Sequence, residues 1–212
     1  MHAASLETSR RVLLRNIRWE VYEALMDARG DDPSPLFTYD RGDLEIRAPL
    51  ARDERLKCLT RRLIQSYTEV RGIDIKSVGA TTLLAPPKRR GLEPDDSYYV
   101  QNEPLVRGKD DFDITVDPPP DLAVEIDITS SSLDKLAICA SLGVPEIWTY
   151  DDGLIMYSVS ASGQPVVLEK SKALPDLAPS DLVRFLEMRQ SRSETQLVRA
   201  FREWVRERHG AE

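Results

Sequence analysis

Histidine is almost absent from this chain, and the two that occur, His2 and His209, stand near its ends. A histidine-based catalytic triad or a histidine metal cluster is therefore excluded as its chemistry. Cysteine is equally scarce. Cys58 and Cys139 both fall in segments of helical spacing with apolar neighbours, so buried free thiols are expected rather than a disulfide, as suits a reducing compartment. There is no Cys-x-x-Cys pair and no glycine-rich phosphate loop. No stretch approaches the ~20 apolar residues that span a bilayer. The opening MHAASLETSRRVLL holds no apolar run long enough for a signal peptide. A cytoplasmic chain without a membrane partner is the expectation. Positive charge is not in excess either, with 29 Lys and Arg against 36 Asp and Glu for a net charge of −7. That balance counts against a life of non-specific nucleic-acid binding, which leans on cations at phosphates, but it leaves room for a local basic groove.

What is present suits one sizeable domain: 212 residues, 41% of them hydrophobic. Trp19, Tyr22, Leu25 and Met26 recur at helical spacing over 17–29, and Gly30 ends the run. Strands 36–39 and 44–48 flank the compact turn Asp40-Arg41-Gly42-Asp43, a hairpin signature. A charged helix over 52–70 carries Leu56, Leu59, Leu63 and Tyr67 as its apolar stripe. Strands are expected from Ile73, over 78–84 and over 95–101, and the proline-rich 102–120 reads as a loop. Residues 122–129 form the clearest strand. A helix over 132–142 and strands over 144–150, 154–159 and 166–169 follow, then helices over 181–189 and 193–208. The order predicts a mixed α/β domain with helices packed on a central sheet. Residues 1–190 are read as the domain and 191–212 as a C-terminal helical extension. That last helix could pack on the domain, the favoured arrangement, or on a second copy in a homodimer. Trp148 is expected in the core.

Chemistry concentrates around the clearest strand. Period-two alternation puts Glu125 and Asp127 on one face, about 7 Å apart at the usual rise per residue. Carboxylates that close repel unless water, a cation or a proton intervenes. A solvated sheet face is the plain alternative. Ser130, Ser131 and Ser132 are N-cap candidates for the next helix. Lys135 would then sit in its first turn, where the helix dipole disfavours a cation, and on the apolar arc of Ile138, Cys139 and Leu142. Either it snorkels with its stem buried, or its ammonium turns back toward Glu125 and Asp127. Glu93-Pro94-Asp95-Asp96 opens another strand, with Asp95 and Asp96 on opposite faces, so only one can join Glu125. Lys88, Arg89 and Arg90 on a turn and Arg52, Arg55, Arg61 and Arg62 on a helix could meet a phosphate backbone or simply form a salt-bridged surface. No base-reading motif is visible.

The stretches PPPDLAVEIDITSSSLDKLAICASLGVPEIWTYD (118–151) and EPDDSYYVQN (93–102) resemble the Uma-two family, a domain of unknown function classed with restriction endonucleases. Gly42-Asp-Leu-Glu-Ile-Arg-Ala-Pro49 and Leu14-Arg-Asn-Ile-Arg-Trp19 fit the same likeness, which covers about residues 12–190. It implies a restriction-endonuclease-like core, a mixed central sheet flanked by helices, here with an N-terminal helix and hairpin and C-terminal helices. By that resemblance Asp95 is the first metal-binding acid, Glu125 the second, and Lys135 the catalytic lysine. The usual lysine two residues after the acid is replaced by Asp127, which would ligate a second ion or hold Lys135. Glu54 would be an additional acid, beside Asp53 where members often carry histidine. Asp95, Glu125 and the Ile126 carbonyl would hold Mg²⁺ or Mn²⁺ in a metal-dependent nuclease acting on DNA. The rival expectation is a nucleic-acid-associated or regulatory module that keeps the fold without catalysis, and a hydrolase of a small phosphodiester is a third.

Overall fold

A computed structural model of the chain describes residues 10–30, 32–126, 131–160 and 162–210. Two sheets organise it. The first, in the order β1-β3-β2-β6-β5, is antiparallel throughout and is built from β1 (Arg10–Leu14), β2 (Leu36–Asp40), β3 (Asp43–Ala48), β5 (Leu83–Ala85) and β6 (Arg90–Leu92). The hairpin closes where expected: Arg41 and Gly42 take positive φ of 50° and 109°, as a two-residue turn between right-twisted strands requires. Helix α1 (Trp19–Arg29) covers one face of this sheet, where Tyr22, Phe37, Tyr39 and Leu44 form a small core.

The second sheet runs β11-β10-β9-β8-β7-β4, from β4 (Lys76–Ser77), β7 (Asp96–Tyr99), β8 (Leu122–Ile126), β9 (Glu146–Tyr150), β10 (Leu154–Val159) and β11 (Pro165–Leu168). It is the mixed sheet anticipated. Only β8 and β9 pair in parallel, and helix α4 (Lys135–Ser141) lies in the connection between them, as a parallel crossover demands. A further short helix, α3 (Glu103–Val106), interrupts the stretch read as loop.

Helices α2 (Ala51–Arg71), α5 (Pro179–Glu187) and α6 (Glu194–His209) cover one face of this sheet. The main core lies between: Leu59, Leu63, Ile64 and Tyr67 of α2 meet Val124, Ile126 and Trp148 of the sheet and Leu197, Phe201 and Val205 of α6. The last helix thus packs within the chain. On the other face α4 places Ile138 and Cys139 against Ala123 and Ile147, and Leu83 and Leu92 of the first sheet join them. The two sheets therefore meet over the odd-numbered residues of β8.

Two expectations change. Cys139 is buried, but Cys58 is exposed, because the arc of α2 at that position faces solvent. The N-cap of α4 is Asp134, whose carboxylate accepts from Ala137 N at 3.0 Å, not a serine. Ser131 and Ser132 bond elsewhere, as shown below. The predicted continuation of β8 over 127–129 lies outside the described residues.

Candidate active site

Strand alternation decides which side chains can meet. Leu122, Val124 and Ile126 point into the helix-covered core, so Ala123 and Glu125 point toward α4 and the first sheet. Strand β7 runs antiparallel to β8 with Asp96 opposite Val124, and the next step of that register sets Asp95 opposite Glu125. Cross-strand neighbours on one face have Cβ atoms about 5 Å apart. The Asp95 Oδ2 atom accepts the Ile126 N–H at 2.7 Å. From the start of α4, the Lys135 ammonium reaches back to Glu125 Oε2 at 2.8 Å. Asp95, Glu125 and Lys135 are 2%, 0% and 2% exposed. Of the two readings for Lys135, the geometry is that of the ammonium turned toward the acids, not a snorkelling chain.

Burial pushes the Glu125 carboxyl above its ordinary pKa, the Lys135 ammonium draws it back, and the Asp95 carboxylate adds to the rise. Its other oxygen, Oε1, is buried and accepts no hydrogen bond among the described residues. Cys139 lies close by, but burial drives its thiol well above the ordinary range, so it is not an activated nucleophile.

A fourth group joins from the first sheet. Arg47 on β3, 2% exposed, donates from Nη1 to the Ile126 carbonyl at 3.0 Å and pairs through Nη2 with Asp95 Oδ1. Two residues earlier on the same face, buried Glu45 accepts from Arg11 Nη1 at 3.0 Å, Ser131 Oγ at 3.0 Å and Ser132 N at 2.6 Å. It fastens the segment leading into α4 to the hairpin, and so sets where Lys135 begins. Neither Arg47 nor Glu45 was singled out from sequence. The signal was the alternation in Asp43-Leu-Glu-Ile-Arg47, which reads as one core face and one solvent face, whereas here both are covered.

The remaining candidates are placed elsewhere. Glu54 is 42% exposed in its side chain and pairs with Lys57 at 2.7 Å. Its neighbour Asp53 is the buried acid, and it accepts from Leu50 N at 3.4 Å at the start of α2. Asp127 lies outside the described residues. Arg61 binds Asp96 through Nε at 2.8 Å and Nη2 at 2.9 Å. Arg90 binds Asp40, Arg62 binds Glu194, and Lys88 bonds the Ser141 carbonyl. Arg52, Arg55 and Arg189 border a cavity of about 600 Å³ with Asp53, Ile126, Asp151 and Asp152, and its lining does not include Asp95, Glu125 or Lys135.

A hard divalent cation suits the oxygens of this site. The Asp95 and Glu125 carboxylates are neighbours, the Ile126 carbonyl lies beside them, and Glu125 Oε1 is a buried acceptor without a donor. Mg²⁺ commonly takes one or two carboxylates and keeps several waters. Among the described residues no group of three or more histidine, cysteine or acidic side chains is placed to hold a metal ion, so two acids and a peptide oxygen are the oxygens a metal ion would meet here.

A mixed sheet flanked by helices, crossed over through α4, with paired acids at the mouth of its parallel strands, has the restriction-endonuclease-like architecture. The chain resembles the crystal structure of a putative nuclease belonging to DUF820 from Anabaena variabilis ATCC 29413, with a TM-score of 0.54 at 16% sequence identity, covering 76% of this chain and 96% of that one. The sequence model of Uma2, described as "Putative restriction endonuclease", matches residues 19–178, and the chain belongs to that family. No curated protein matches it. Among the described residues no helix is long and apolar enough to cross a membrane.

Proposed function

We propose that the chain is a divalent-metal-dependent nuclease that hydrolyses phosphodiester bonds of DNA at Asp95, Glu125 and Lys135. The observation that carries this reading is the Lys135 ammonium, drawn from a helix start to 2.8 Å from Glu125, beside Asp95. Burying one lysine and two acids together is costly unless the cluster has a use.

Asp95, Glu125 and the Ile126 carbonyl would hold Mg²⁺ or Mn²⁺. Such an ion, when bound, lowers the pKa of a coordinated water and offsets charge on a phosphoryl oxygen. Lys135 orients an attacking water and offers its ammonium to the charge that develops on phosphorus oxygens. Glu125 holds that ammonium in place.

A second reading, a nucleic-acid-associated module without catalysis, is favoured by Arg47, which already pairs with Asp95. Cleavage of supercoiled plasmid and single-stranded DNA with Mg²⁺ or Mn²⁺ tests the two. Asp95→Asn and Glu125→Gln are expected to abolish cleavage, and Lys135→Met to reduce it about a hundredfold or more. DNA binding by the wild type with no cleavage under either metal would establish the module instead.

A further inference from the structure

We infer that Arg47 is a built-in counter-cation that a divalent metal ion must displace from Asp95 and the Ile126 carbonyl before the site is loaded. The inference deepens the nuclease reading and rests on it for the identity of the metal's ligands. Its basis is the guanidinium itself. Arg47 bonds the Ile126 carbonyl through one nitrogen and Asp95 Oδ1 through the other. Those are two of the three groups offered to a metal ion, and the third, Glu125, keeps Oε1 without a donor. A metal ion bound at about 2 Å from an oxygen leaves no place for an arginine N–H on the same lone pairs.

Charge points the same way. Among the described residues, Asp95 is matched by Arg47 and Glu125 by Lys135, so these four side chains sum to no net charge. Adding a divalent ion with Arg47 in place would leave two net positive charges in a dry site, which is strongly unfavourable. With Arg47 withdrawn the excess is one positive charge, which a single phosphodiester anion cancels. Without the ion, Arg47 keeps the Asp95 carboxylate from being buried alone.

The test uses Mn²⁺ on the full chain. Calorimetric titration of Arg47→Met is expected to show binding at least tenfold tighter than the wild type. In the wild type, phenylglyoxal modification followed by peptide mass spectrometry should find Arg47 protected without Mn²⁺ and reactive with it. Should Arg47→Met fail to fold without metal, Arg47→Lys, which keeps the charge but loses the fork that spans both oxygens, is expected to bind several-fold tighter than the wild type. Folded Arg47→Met binding no tighter, or Arg47 remaining protected at saturating Mn²⁺, overturns the inference. Equal affinities accompanied by DNA cleavage would sink the role of Arg47 and leave the nuclease standing. Tighter binding by Arg47→Met with no cleavage by any form would do the reverse.

Discussion

Asp95 and Asp96 are consecutive in the chain and are held by arginines from opposite sides of one sheet: Arg47 of the neighbouring sheet takes Asp95, and Arg61 of α2 takes Asp96. Strand alternation separates them, and their roles separate with it. Asp96 also accepts from the Tyr98 hydroxyl at 2.5 Å, which closes a buried structural cluster without the open oxygen found at Glu125. Asp96→Ala should therefore cost about 1–3 kcal/mol, since partly exposed Arg61 can turn to water once its partner is gone. Urea denaturation measures this, and at permissive temperature the variant is expected to keep the DNA cleavage that Asp95→Asn loses.

The Glu125–Lys135 pair is wholly buried, so breaking it from one side strands a charge. Glu125→Gln or Lys135→Met alone should destabilise by about 3–5 kcal/mol, whereas the two together should cost much less than the sum. A double-mutant cycle by chemical denaturation reads the coupling. Additive losses would show the two side chains do not depend on one another.

Glu146 at the start of β9 is a structural anchor with no part in the site. Its carboxylate accepts from Trp148 Nε1 at 2.6 Å and from Lys172 N and Ala173 N at 2.8 Å each. Glu146→Ala leaves three donors wanting, two of them buried, and should cost about 2–4 kcal/mol. Trp148 fluorescence, altered in the folded variant, reports the lost indole bond directly.

His209 supplies a pH dependence. Burial and the neighbouring Arg71 guanidinium, 2.7 Å from Nδ1, hold its pKa below the ordinary 6.5. The unfolded chain then binds the proton more readily than the folded one, so stability is lost as pH falls through about 6.5 toward the lower folded value. The wild type should drop further in melting temperature between about pH 7.5 and 5.5 than His209→Gln, which has nothing to titrate there. Parallel curves for the two would refute it.

Much of this was legible in the residues. The hairpin turn at Arg41-Gly42, the stripe of α2 and the opposed faces of Asp95 and Asp96 follow from local geometry, which sequence states directly. Lys135 was legible because its placement was locally unfavourable twice over. The two-sheet arrangement was not, because β1 finds β3 only through distant pairing: Arg10 lies opposite Ala48. That pairing is also why Arg47 was passed over. An arginine alternating with apolar residues in a strand looks like a solvent-facing side chain until a second sheet covers it. The serines before α4 misled for a related reason. They were read as caps, but Glu45, far off in sequence, holds Ser131 Oγ and Ser132 N, and the cap is Asp134.

Glu45 grips Arg11 of the outermost strand and, at once, the two residues that precede α4. The rim of one sheet and the root of the crossover in the other are consequently tethered to a single carboxylate. Peeling β1 away would slacken the anchorage of Lys135, so wear at the molecule's edge would be felt at its centre.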